Sequence, residues 1–229
     1  MNLVNETEIY KAIKSAIIQQ KVRPNTQLVE EVLAESFGVS RTPVRNALRR
    51  LAFEKLVTII PHKGTFVSAP SVEDAKEVFE MRRLLETAAI RQGCSYFTEG
   101  QFRELKQLLD DEHRAHEEGD FFAALQISGD FHLKIAELTR NSYLYRYLEE
   151  LVSLTYVIIA FYGYRHLTSC SSHEHDQILE AMKKRDVEIA VDLISDHLTK
   201  IEMSLDFTEN IAASMSLTDI FSIKSHSSV

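Results

Sequence analysis

Three histidines of this chain fall inside apolar helical stripes, each on a different predicted helix. At about 100° of rotation per residue, His132 shares a face with Ala124, Phe131, Ile135 and Leu138, while Ser128 lies on or at the edge of that face and Asp130 points away. His175 is bracketed by Ile178, Leu179 and Met182, with His173 on the opposite side, and His197 is surrounded by Ala190, Leu193, Ile194 and Ile201. Taken singly, such a histidine is more often a hydrogen-bonded core residue than a ligand. Three neutral imidazoles aimed at one core need acceptors or a cation, and a three-histidine set with open positions suits a divalent transition metal such as zinc, nickel or manganese. His113 and His116 extend the Phe102, Leu105, Leu109 stripe at its polar end and read as surface residues. One cation is also buried by this test. Arg82 lies among Val78, Met81, Leu85 and Ala89, and it either pairs with Glu86 one turn on or clamps a carboxylate effector whose other end meets the metal.

A second chemistry lies near the N-terminus. Arg41, Arg45 and Arg49 recur at i, i+4 and i+8, on a different side from Val44, Ala47, Leu48 and Leu51. Guanidinium groups on an exposed helix face can pair bidentately with guanine edges in the major groove, and a Lys at a hairpin tip meets phosphate or the minor groove. A solvated charged face is the bland alternative. The surrounding elements favour DNA. Ile9, Ala12, Ile13, Ala16 and Ile17 predict one helix, and Val29, Leu33 and Phe37 a second. Gly38-Val39-Ser40 breaks the second, and Ser40 sits at the N-cap of a third that runs from about Arg41 to Glu54. Leu56 to Ile60 and Thr65 to Ser68 read as two strands joined by Pro61-His62-Lys63-Gly64. This is the layout of a winged helix-turn-helix.

Charge separates this segment from the rest. Residues 1–70 hold 10 Lys and Arg against 6 Asp and Glu, and residues 71–229 hold 16 against 28, so a segment of charge +4 precedes one of −12. A small basic module for a polyanion joined to an acidic partner domain is expected. Ala69-Pro70-Ser71 is the joint, since Pro disfavours helix before it and Ser71 can cap the helix that follows. Beyond it the pattern is helix after helix, with polar links at 98–100, 119–120, 140–142, 167–172 and 185–186, and a polar tail over Ser214 to Val229. The fold class is therefore mainly α, a winged helix-turn-helix over 1–70 followed by an all-α bundle over 71–229. Cys94 and Cys170 make neither a disulfide framework nor a CxxC zinc site, and the first residues lack the basic and apolar regions of a signal peptide. The apolar run Leu151 to Tyr164 is too short to span a bilayer. A core helix and a reducing cytoplasm are expected.

The stretch Gly38-Val39-Ser40-Arg41-Thr42-Pro43-Val44-Arg45-Asn46-Ala47-Leu48-Arg49-Arg50-Leu51, followed by Gly64-Thr65-Phe66-Val67, closely resembles the DNA-binding domain of GntR-family bacterial transcription regulators. That resemblance implies Ser40, Arg41, Thr42 and Arg45 at the major groove, Arg49 near the backbone, and His62, Lys63 and Gly64 at a wing tip entering the minor groove. Asn25 and Lys55 stand where the family usually has Gly. Arg82 to Glu86, Phe131-His132, Asn141, His175 with Ile178 to Ala181, and His197-Leu198 resemble the FCD effector-binding domain of the FadR subfamily. By that resemblance His132, His175 and His197 are ligands of a divalent metal, Arg82 binds a small organic-acid effector, and Ser128 replaces the usual Asp or Asn, contributing through its hydroxyl or a water. The function implied is a homodimeric, cytoplasmic, ligand-responsive regulator, read as a repressor, that binds an operator duplex and is not an enzyme. The alternatives are a metal-dependent enzyme, disfavoured because no carboxylate or other base stands clearly beside the cluster, and a regulator with a purely structural metal.

Overall fold

Four helix starts are set by capping side chains, Asn5, Ser71, Thr98 and Asp120, in a computed structural model, which describes residues 5–19, 21–163, 172–207 and 217–221. Helix α1 (Glu6–Ile18) opens on a capping box in which the Asn5 side chain accepts from the Glu8 amide and Glu8 accepts from the Asn5 amide. Helix α2 (Glu30–Phe37) ends at Gly38, whose φ of 64° is the left-handed cap that glycine adopts without penalty. Val29, expected on the buried face of this helix, is instead its exposed N-cap. Helix α3 (Arg41–Phe53) follows, burying Val44, Ala47, Leu48 and Leu51 as its periodicity requires. Ser40 occupies the N-cap, but its side chain makes no capping hydrogen bond there.

Strands β1 (Val57–Ile60) and β2 (Gly64–Val67) pair antiparallel, with Val57 opposite Val67 and Ile60 opposite Gly64. The other edge of β2 is occupied by the segment leading into α2: the Leu28 amide donates to Thr65 O, and the Val67 amide to Thr26 O. Asn25 and Lys55 both have positive φ, 62° and 60°. The two residues standing in place of family glycines thus keep the left-handed backbone that those glycines would serve.

Helices α4 (Val72–Tyr96), α5 (Glu99–Glu117), α6 (Phe121–Leu138), α7 (Ser142–Tyr162), α8 (Ser172–Lys183) and α9 (Val187–Met203) form the rest, with a short α10 (Leu217–Phe221) inside the stretch read as a polar tail. Ser71 caps α4 through a reciprocal box with Asp74. The described residues divide into two units. One holds those of Met1–Pro70, Tyr156–Phe161 and Thr208–Val229, the other Ser71–Thr155 and Tyr162–Phe207. The first unit's core is built on Ile9, Ile13, Leu33, Leu48, Leu51 and Leu56, and Val157 and Phe221 belong to it. In the second unit α4 packs on α9 and α6, α5 on α6 and α8, and α8 on α9. Phe79, Phe102, Phe131, Ile178 and Ile194 are fully enclosed there. Among the described residues no helix is long and apolar enough to cross a membrane. Cys94 is buried, and Cys170 lies outside the described residues.

The end of α4 is held by a distant side chain. Arg185 donates to the carbonyls of Cys94 at 2.8 Å, Phe97 at 2.6 Å and Gly93 at 3.2 Å, with its guanidinium against the Phe102 ring. Gly93 O also accepts from the Phe97 amide, whereas the Cys94 carbonyl lies in the last turn, where the helix has no i+4 donor to offer. Arg185→Ala is expected to lower the unfolding free energy by about 1–3 kcal/mol, with an unchanged dependence on denaturant. An unaltered urea midpoint would show that water replaces the guanidinium fully.

Candidate functional site

Helices α6, α8 and α9 bring His132, His175 and His197 together, with one ligand-capable atom of each inside 4.8 Å of the others. All three side chains are buried. Each ring has a carboxylate at its outer nitrogen. His175 Nδ1 lies 2.8 Å from Glu112 Oε2, His197 Nδ1 lies 2.9 Å from Glu174 Oε2, and His132 Nδ1 stands 2.6 Å from Glu86 Oε2, at ion-pair distance but without hydrogen-bond alignment. An ionised carboxylate can only accept, so a ring that donates its Nδ1 proton to one presents Nε2 as its acceptor. The Nε2 atoms of His175 and His197 face each other at 3.2 Å. Two facing lone pairs repel unless a proton or a cation stands between them. Two imidazoles about 2.0–2.1 Å from a tetrahedral ion place their nitrogens about 3.3 Å apart, so the donor set fits a divalent transition metal. The outer carboxylates are those that fix tautomer and ring orientation in such centres.

These carboxylates correct the expectation that none stands beside the cluster. They lie behind the imidazoles, on α4, α5 and α8, and not on the face that the Nε2 atoms share. Glu112 continues the Phe102, Leu105, Leu109 stripe by three residues, so a search for acids in apolar stripes would have found it. Glu174 is less legible, being the neighbour of one ligand and the partner of another. His113 pairs with Asp176 at 3.0 Å, His116 packs against the Phe121 ring and His173 is exposed, so none joins the cluster. Ser128 is buried one turn before His132, and Asp130 is exposed on the other side.

Burial disfavours the charged form of two of the rings: it holds His197 down at about 3 and lowers His132 as well. Burial alone would raise Glu86, but Arg82 and His132 outweigh it and bring the carboxyl to about 2. The hydrogen bond from His197, joined by Lys200, holds Glu174 at about 2. Arg82 is 3 % exposed; its Nε donates to Glu86 Oε1 at 2.7 Å and its Nη1 to Thr155 Oγ1 at 3.3 Å. The intrahelical pair weighed from the sequence is therefore present. Its Nη2 is buried with no hydrogen-bond partner among the described residues, and so is Glu112 Oε1.

In the first unit Ser40, Arg41, Thr42, Arg45 and Arg49 are exposed along α3, and His62, Lys63 and Gly64 are exposed at the hairpin turn. Gln27 Nε2 donates to Lys63 O at 2.9 Å, and a Cβ on Gly64 would stand only 2.9 Å from that nitrogen. The turn can lie this close because residue 64 is glycine at φ 114°. Arg50 is set apart from the stripe. Its guanidinium lies 3.8 Å from the Tyr10 ring centroid, beside Glu54, which accepts from Tyr10 and Lys14. Two acidic residues that the sequence reading left aside meet the stripe: Glu30 takes Arg45 through Nε at 3.0 Å and Nη2 at 2.8 Å, and Glu31 pairs with Arg41.

Two family models match the chain: "Bacterial regulatory proteins, gntR family" over residues 5–67 and "FCD domain" over residues 77–200. The HTH-type transcriptional repressor RspR of Escherichia coli K12 is 26% identical over 200 residues, spanning 86% of this chain and 87% of that protein. The HTH-type transcriptional regulator McbR of the same strain is 27% identical over 174 residues, 73% of this chain and 77% of that one. Two solved structures share the fold. A GntR-type regulator from Rhodococcus sp. RHA1 superposes with a TM-score of 0.73 at 22% identity, covering 86% of this chain and 95% of that one. McbR/YncC of E. coli gives 0.72 at 22%, covering 85% and 93%. These families and relatives are transcriptional regulators, not enzymes.

The buried site predicts acid sensitivity of chelator-treated protein. The folded state leaves His197 unprotonated down to about pH 3, whereas the unfolded chain takes up that proton near 6.5. Stability therefore falls as pH drops from about 6.5 toward 3. Glu86 and Glu174, held at about 2, contribute stability above their unfolded value near 4.5 and lose it as pH falls toward 2. Both effects act in one direction. Thermal melts in EDTA should decline below about pH 6.5 and steepen below about 4.5, and a melting temperature constant from pH 7 to 5 would contradict the burial of these rings.

Proposed function

The chain belongs to the GntR family of bacterial regulatory proteins and carries an FCD domain, and on that premise we propose a ligand-responsive, operator-binding repressor. In this reading residues 1–70 are the DNA reader and residues 71–229 the effector-binding and dimerisation domain of a cytoplasmic homodimer. His132, His175 and His197 hold a divalent transition metal, and a small organic acid bound there changes operator affinity. The observation that carries the reading is the pair of Nε2 atoms 3.2 Å apart with Glu112 and Glu174 at the outer nitrogens of their rings. When bound, the metal supplies a Lewis-acid point for a carboxylate. Arg82 supports the same ligand class, because its unpartnered buried Nη2 is a charged donor in need of an acceptor. The mechanism is linkage: an effector that binds one arrangement of two DNA-binding domains more tightly shifts the population toward it, and operator affinity follows. RspR is a repressor by name, which supports that sign of control. The Arg82–Glu86 pair favours a second reading, in which the metal is structural and Arg82 already has its anion. Gel shifts on operator DNA with and without candidate carboxylic acids separate the two.

A chelator should lower the melting temperature of wild-type protein, and zinc, nickel or manganese should restore it, since ligand binding to the folded state alone stabilises it. His175→Ala should lose this response and His173→Ala should keep it. Ser128→Asp should tighten the metal by adding an anionic oxygen and weaken a carboxylate effector, while Asp130→Asn should be nearly neutral. Absence of stoichiometric metal in wild type, with His175→Ala equally stable, would remove the site.

On DNA, Arg45→Ala should weaken a selected duplex about 10- to 100-fold and blur its sequence preference. Lys63→Ala should weaken selected and random duplexes more evenly, with a smaller salt slope. Unchanged discrimination in Arg45→Ala would move base reading away from α3.

A further inference from the structure

An acidic residue on a surface meant for DNA needs a reason, because it repels the phosphates that supply most of the binding energy. Glu30 and Glu31 open α2, where any carboxylate benefits from the helix dipole. That benefit explains two acids in the first turn. It does not explain why Glu30 grips Arg45 through two nitrogens, Nε to Oε1 at 3.0 Å and Nη2 to Oε2 at 2.8 Å. The geometry is side-on. It uses the Nε–H and one Nη2–H, and leaves the other Nη2–H and both Nη1–H donors of the guanidinium. That remaining edge is a complete bidentate fork of the kind that matches O6 and N7 of guanine. A carboxylate so placed need not be displaced when Arg45 reads a base. Freed from it, a long exposed arginine would sample many rotamers and settle on phosphates of any sequence. Glu31 differs, meeting Arg41 as a more exposed pair.

We propose that Glu30 is a specificity-positioning residue: it orients the free edge of the Arg45 guanidinium toward base edges and keeps it off the phosphate backbone. The inference rests on α3 being the recognition helix. Its consequence is a division of labour in which Arg45 supplies the base contact and Glu30 the discrimination between cognate and random DNA.

The test compares two duplexes on the full-length protein: one enriched by the wild type from a randomised library, and one of random sequence. In Glu30→Gln the ratio of their affinities should fall about tenfold, mainly because random DNA binds more tightly, and the salt slope on random DNA should steepen by about one phosphate contact. Glu31→Gln removes the same charge from the same face, so it should tighten both duplexes together and leave the ratio within about twofold. In an Arg45→Ala background Glu30→Gln should no longer change the ratio. Glu30→Asp keeps the charge but not the reach and should lower the ratio as Glu30→Gln does, which covers the case of a poorly folded Gln variant. A wild-type ratio in Glu30→Gln and Glu30→Asp, with Arg45→Ala losing it, overturns the role of Glu30 alone. A wild-type ratio in Arg45→Ala overturns the recognition-helix reading beneath it.

Discussion

A buried imidazole must place both ring nitrogens, and this requirement organises the C-terminal unit. Of the three such rings on α6, α8 and α9, His175 and His197 meet Glu112 on α5 and Glu174 on α8 at their outer nitrogens, and His132 stands at ion-pair distance from Glu86 on α4. Five helices are thus tied to one polar centre. Helix packing alone tolerates sliding and rotation within a range of crossing angles. A carboxylate 2.8 or 2.9 Å from a ring nitrogen does not, because a buried charge that loses its partner is strongly destabilising. The apolar side chains around the centre supply the driving force for collapse, and the carboxylate–imidazole pairs select the one arrangement in which it can occur.

The DNA-binding unit meets the opposite problem, which is to hold charged groups still where water competes for them. It does so from below. Tyr10, Lys14 and Glu54 join α1 to α3, and Arg50 lies over the Tyr10 ring, so one arginine of α3 is used to fasten the helix that presents the others. The hairpin tip is held by Gln27 through Lys63 O, a contact possible because Gly64 has no Cβ. Exposed arginines and a tip lysine then stand on a frame whose own polar bonds are already made.

How far each unit was legible follows from the range of the interactions involved. The facing of His132, His175 and His197 is a property of one helix at a time, and periodicity found all three. The placement of Asp130 away from the cluster follows from the same arithmetic. Glu112 stands in the apolar stripe of its own helix and could be found there as a buried acid, but not its pairing with His175, 63 residues on; Glu174 was missed because its partner lies 23 residues away, and no rotation within one helix connects the two. Gln27 was missed for the same reason, its carbonyl partner being 36 residues off. Local chemistry also misled in places. Ser40 is the residue type expected at an N-cap and occupies that position, yet its hydroxyl makes no cap bond. Asn25 and Lys55 show the reverse case, in which the backbone keeps a left-handed turn although the residue that favours it has been replaced.

Glu86 connects the two functional readings of the helical unit. One of its oxygens is 2.7 Å from Arg82 Nε and the other 2.6 Å from His132 Nδ1. The carboxylate that neutralises the buried arginine is therefore also the one that faces the His132 ring. In a low-dielectric interior these two contacts are not independent, because one carboxylate charge serves both.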